Sequence, residues 1–212
     1  MKYLRIALVL LLATITLVAN SQVRFGVKGG LNITNYVLDD EKIDDNDAKY
    51  GFNAGIYFRL PVAGFISLQP ELLYTQKGSK IEMTKYRVVI NTKSSTDYIE
   101  LPVLLDFAVF DALHVQVGPY FSYLINKEAV TSNSSNNSII NQVKEEFKKV
   151  KLNELDYGLA FGASFVSRRL ELSLRYNHGL QTLGKENIVL GDRSTFPDVK
   201  HSAIYLSLGL SF

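Results

Sequence analysis

Nine charged side chains stand at alternating positions in a sequence otherwise rich in apolar residues and glycine: Arg24, Lys28, Arg59, Glu71, Glu100, Asp106, Asp156, Glu171 and Arg175. Gathered in one place, such groups can do acid–base work, pass ions, or neutralise one another. An ion path favours a lining of one dominant sign, and here the signs nearly balance. Mutual neutralisation in a structural network is therefore the expectation. Hydrolysis would need a nucleophile, a base and an orienting acid in mutual reach. The histidines are His114, His178 and His201, and neither a G-x-S-x-G elbow nor an H-E-x-x-H motif occurs. Residues 132–138 are a Ser/Asn-rich run that reads as solvated loop. The acidic run 39–47 lacks the glycine and ligand spacing of a calcium loop. No catalytic residue, cofactor or metal is expected, and a formal net charge of +2 gives no reason to expect nucleic acid as a partner.

The elements that must position these charges are strands. Period-two alternation, which marks a strand with two unlike faces, recurs in eight runs: 23–31, 50–60, 65–76, 97–107, 113–124, 155–165, 170–178 and 202–212. In each, one face is apolar (Ile99, Leu101, Val103, Leu105 and Phe107 in the fourth) and the other carries polar residues or glycine. The nine charges fall on the polar faces, with His114. His178 and His201, at the edges of the seventh and eighth runs, are expected near the external rim. Each run has about the 9–11 residues a tilted strand needs to cross a membrane.

Alternation alone does not separate a soluble sandwich from a membrane barrel. The connections do. Those after the second, fourth and sixth runs are short (61–64, 108–112, 166–169), and those after the first, third, fifth and seventh are long (33–49, 77–96, 125–154, 180–201). Strict alternation of short turns and long loops is the pattern of an eight-stranded antiparallel up-and-down transmembrane β-barrel with short periplasmic turns and long extracellular loops. Tyr50, Tyr74, Tyr98, Phe107, Phe121, Tyr123, Phe165 and Tyr176 lie toward strand ends, where interfacial girdles belong. Phe212, in phase with the apolar face, is placed as the C-terminal assembly signal of such a barrel.

Residues 1–21 read as a cleavable signal peptide. Lys2 and Arg5 precede an apolar run from Ile6 to Val18, and small residues Ala19 and Ser21 sit where a signal peptidase needs them. That run is too short to span a membrane as a helix. The barrel domain is then 22–212, with charges balanced once Lys2 and Arg5 are gone. With no cysteine, the exported chain has neither disulfides nor a lipidated N-terminal thiol.

Four segments carry a resemblance: Tyr98-Ile99-Glu100-Leu101-Pro102-Val103-Leu104-Leu105, Gly118-Pro119-Tyr120-Phe121, Asp156-Tyr157-Gly158 and Arg175-Tyr176-Asn177-His178-Gly179-Leu180. With the opening Phe25-Gly26-Val27-Lys28-Gly29-Gly30-Leu31-Asn32, they resemble the PorT-like, porin-family outer-membrane barrels of Bacteroidetes over essentially the whole exported chain. The resemblance implies the barrel firmly and the activity weakly. It also implies that Pro70, Pro102 and Pro119, awkward inside strands, are tolerated at bulges. A non-enzymatic scaffold, adhesin or binding protein acting through its extracellular loops is expected. An accessory of a protein-secretion system, as PorT is, comes second, a narrow channel third. Expected partners are outer-membrane lipid and lipopolysaccharide, the phosphates of the latter matching the basic end of 144–151, together with the barrel-assembly machinery and, on the resemblance, secretion-system components.

Overall fold

The computed structural model describes residues 23–38, 46–85, 88–132, 153–182 and 199–212. The expected signal peptide, the acidic run up to Asp45, the Ser/Asn-rich run beyond Ser132 and the mixed-charge run 144–151 lie outside them. Eight strands follow one another: β1 (Arg24–Leu38), β2 (Asn46–Ala63), β3 (Ile66–Lys85), β4 (Val88–Ala108), β5 (Leu113–Ser132), β6 (Leu155–Ser167), β7 (Leu170–Thr182) and β8 (Val199–Ser211). Each pairs antiparallel with the next, and β8 returns to pair with β1 from Gly26↔Ser211 to Leu38↔Val199, closing the barrel.

Closure turns the usual globular arrangement inside out. Leu206, Leu208 and Leu210 of β8 point outward and are exposed, whereas Ala203, Tyr205, Ser207, Gly209 and Ser211 between them are buried. The buried set of the whole barrel is mostly polar, and the large apolar side chains cover its outer surface. This is the distribution expected when hydrocarbon, not water, bathes the outside.

The turn end is tighter than the sequence suggests. Gly64–Phe65 and Arg168–Arg169 are the whole β2–β3 and β6–β7 connections, and Val109–Ala112 joins β4 to β5. Gly64 and Arg168 carry the positive φ values, +30° and +51°, that reverse a strand so abruptly.

At the loop end most strands run on past their apolar stretches, furthest in β3, β4 and β5. β3 pairs with β4 out to Lys85↔Val88, and β4 with β5 out to Asn91↔Ser132, whereas the β5–β6 ladder stops at Tyr123↔Leu155. The connections expected across 33–49, 77–96, 125–154 and 180–201 are therefore all partly strand. Alternation reports a lipid-facing side, and it fades where both faces leave lipid although the backbone ladder continues. The prolines need no bulges either. Register is the same on both sides of Pro70, Pro102 and Pro119, and the shifts occur elsewhere, between Ala48 and Asn53, Pro61 and Ala63, Asp97 and Tyr98, and His178 and Thr182. A proline removes one donor from one ladder, and each strand here is held by two.

The outer belt differs at its two ends. Its outward tyrosines, Tyr50, Tyr123, Tyr157 and Tyr176 among them, sit toward the loops. Phe25, Phe58, Phe65, Phe110, Phe165 and Phe212 sit toward the turns, where Phe25 packs on Phe58 and Phe212 at centroid distances of 5.3 and 6.3 Å.

A left-handed backbone costs a non-glycine residue about 1–2 kcal/mol. Arg168→Gly should thus raise the unfolding free energy by about 1 kcal/mol, measured by reversible urea unfolding in lipid vesicles. No gain would mean that the Arg168 side chain contributes as much as its backbone costs.

Candidate functional site

The lumen of an eight-stranded barrel is just wide enough for side chains to fill it, and here the filling is ionic. Toward the turn end, Lys28 of β1 meets Glu71 of β3 at 2.7 Å and Glu171 of β7 at 3.1 Å. Lys28 and Glu171 flank Gly209 in the two ladders of β8, so they reach each other over a residue without a side chain. Arg59 of β2 pairs with Glu171 at 2.9 Å and Asp106 of β4 at 3.4 Å, and donates twice to Gln69. Asp106 also accepts from Gln116 at 3.0 Å and lies 2.8 Å from His114 Nδ1.

Toward the loop end the hub is Glu100 of β4. It is fully buried, pairs with Lys77 of β3 at 2.9 Å, and accepts hydrogen bonds from Ser122, Asn177 and Tyr205. Lys77 also reaches Asp156 of β6 at 3.3 Å, and Asp156 lies the same distance from His201 Nδ1. Arg175 of β7 joins the two halves, with Glu71 at 2.6 Å and Glu100 at 3.8 Å. All eight strands contribute.

Four buried tyrosines line the same space as platforms for the cations. Lys28 sits 5.1 Å from the Tyr57 ring, Lys77 5.0 and 5.1 Å from Tyr98 and Tyr120, and Arg175 5.1 Å from Tyr205. Cation–π contacts at such distances add attraction that grows as water is excluded. Glycine makes room for the rings. A Cβ on Gly26 would clash with the edge of the Tyr57 ring, and one on Gly158 would meet Tyr120 at 2.7 Å and the His178 carbonyl oxygen.

Eight of the nine charges singled out from sequence meet in this network. Arg24 does not. It shares their phase, but β1 begins with it at the open rim, where it is exposed to water, and its cross-strand neighbour is Arg59. Arg59 already holds the nearby acids, so a second guanidinium gains more from solvent. His201 is likewise corrected, from the rim to a buried lumenal position with its ring edge-on to Tyr98 at 5.8 Å. Tyr98 belongs to the lumen, not to the girdle. Phe212 is outward and exposed, and its amide N–H donates to the Phe25 carbonyl at 2.7 Å.

Lys77 was missed because the third run was ended at Gln76. Its phase with Glu71 and Thr75 was the available signal. Tyr57 shares the polar phase of Arg59, but Tyr120 and Tyr205 are missed because a tyrosine counts as apolar in an alternation pattern, whichever way it faces.

Five buried carboxylates against four buried Lys and Arg side chains make each cation hard to spare. Removing one member of a buried ion pair typically costs 3–5 kcal/mol. Lys77→Met should lower the unfolding free energy by about 3–5 kcal/mol in vesicles. Combining it with Glu100→Gln should cost clearly less than the two single losses added together. Additive losses would show that Lys77 and Glu100 do not stabilise each other.

Comparison with solved structures supports the same architecture. Neisserial surface protein A is 15% identical, with a TM-score of 0.52 over 91% of this chain and 100% of that one. The outer membrane protein OprG of Pseudomonas aeruginosa is 10% identical, with a TM-score of 0.50 over 89% and 95%. At such identities the likeness extends to the fold alone. No curated protein matches the chain. Residues 18–183 match the outer membrane protein beta-barrel domain, most of the chain, and the protein belongs to that outer-membrane barrel family.

Proposed function

We propose that the protein is a non-enzymatic barrel that works at its extracellular end, as a scaffold, adhesin or binding protein, with a closed lumen serving only to hold the fold. The observation that carries this reading is the ion network. Lys28, Arg59, Lys77 and Arg175 reach from β1, β2, β3 and β7 to acids on β3, β4, β6 and β7, and the main members are at most 7% exposed. A solute would have to displace paired charges whose separation in so dry a space is costly. The His114–Asp106 and His201–Asp156 pairs have the composition of an acid–base site, but each acid is already held by a cation of the network, Asp106 by Arg59 and Asp156 by Lys77. The strands that continue beyond the barrel, β3 to β5, offer their surface outside it. Residues 1–21 act as the cleaved signal peptide in this reading.

The PorT-like segments favour one second reading, an accessory of a protein-secretion machine in a Bacteroidetes outer membrane. Purification of a tagged copy from native membranes separates the two, because secretion components would accompany an accessory and not a lone binder.

The closed lumen is tested in planar bilayers. The mature protein should give no unitary conductance steps, while Lys77→Ala with Glu100→Ala should produce them. Steady steps from the unaltered protein would overturn the closed-lumen reading.

A further inference from the structure

The turn end of the barrel combines two features that the lumen and loops leave unexplained. Three exposed arginines, Arg24, Arg168 and Arg169, occupy one sector of its rim. The Ser211 amide donates to the Arg169 carbonyl at 2.8 Å and the Phe212 amide to the Phe25 carbonyl at 2.7 Å. The end of β8 therefore ties the β6–β7 turn to the start of β1. Among the described rim side chains the exposed acid is Asp111, which lies on the β4–β5 turn, away from this sector.

The second feature is apolar. Phe110 and Phe65 are 69% and 62% exposed at the other two turns, and Val62 beside them is 66% exposed. They continue the lipid-facing belt right into the turns, with no polar band between. At the loop end the outward tyrosines offer hydroxyls at the membrane–water boundary, the usual amphipathic anchor. At the turn end the outward aromatics are phenylalanines, and the sequence has no tryptophan. The polar anchor at that boundary has to come from other groups.

We propose that Arg24, Arg168 and Arg169 form a site for the phosphate of an anionic phospholipid in the periplasmic leaflet, with Val62 and Phe65, at the end of the neighbouring β2, embedded on the Arg24 side of it. The occupant follows from charge and from position. Phosphate is the anion at the depth where the apolar belt stops, and a guanidinium binds it by paired charge-assisted hydrogen bonds. The basic sector is continuous with a surface already covered by lipid. Arg24 is free for this role because Arg59 serves the lumenal acids in its place. The site is independent of the loops, so it holds or fails whatever the protein binds outside.

The mature barrel in nanodiscs of phosphatidylcholine mixed with phosphatidylglycerol tests it, with retained lipids counted by native mass spectrometry. Each arginine engaged contributes about 1 kcal/mol, so phosphatidylglycerol should be enriched by roughly fivefold or more. The triple variant R24Q/R168Q/R169Q should lose that enrichment while keeping heat-modifiable migration on gels, which reports an intact barrel. Phe65→Trp, on the turn beside the Arg24 end of the sector, should give blue-shifted fluorescence quenched by brominated lipid. Equal retention of both lipids by the unaltered protein, undiminished enrichment in the folded triple variant, or water-like emission from the tryptophan would each overturn the proposal.

Discussion

Hydrocarbon offers no hydrogen bonds, so a chain that crosses a membrane as strands must pair every backbone N–H and C=O with another strand. The pairing of β1 with β8 meets that demand, and the rest of this structure follows from it. Once the sheet closes, side chains have two environments and strict alternation between them. The outward set must be apolar along the whole belt. The inward set is confined to a lumen only eight strands wide, too narrow to be well hydrated.

That confinement explains why the interior charges are matched so closely. Lys28 with Glu71 and Glu171, Arg59 with Glu171 and Asp106, Lys77 with Glu100 and Asp156, and Arg175 with Glu71 are links between different strands, most of them distant in sequence. A buried ion pair is a modest source of net stability. Its larger effect here is on register. A slip of one residue would turn a whole strand over, sending Glu100 or Glu171 into lipid and Leu101 or Leu172 into the lumen. Charges inside and leucines outside penalise the same error twice. Apolar packing inside the lumen would give no such penalty, since a slipped strand would then offer apolar side chains to both sides.

The parts of this arrangement that a reader of the sequence can recover are those that lipid writes into it. Eight runs, their faces and the order of short and long connections were legible because the belt demands apolar residues at every second position. Past the belt that demand ends. Lys77 lies one residue beyond the expected end of β3 yet serves two acids, and His201, taken for a rim residue, is buried beside Tyr98. Arg24 shows the opposite failure, since its phase is lumenal but its height in the barrel is not. Phase can be read from a sequence, whereas height depends on the tilt and stagger of eight strands together. Tyr120 and Tyr205 are hidden differently, by counting as apolar, and lumenal tyrosine rings such as that of Tyr57 fit over glycines such as Gly26 on neighbouring strands.

A lumen filled in this way leaves two surfaces with freedom to do something other than fold, and they differ in chemistry. At the loop end β3, β4 and β5 rise beyond their neighbours, and tyrosine hydroxyls mark the boundary beneath them. At the turn end the strands are joined by as few as two residues, the boundary is phenylalanine, and arginines stand where a hydroxyl belt would otherwise be. Short turns with a positive φ at Arg168 leave little backbone able to rearrange around a partner. Recognition that needs an adaptable surface therefore belongs to the loop end. A rim with little backbone freedom that carries arginines suits small anions held at a constant depth, such as the phosphates of a leaflet.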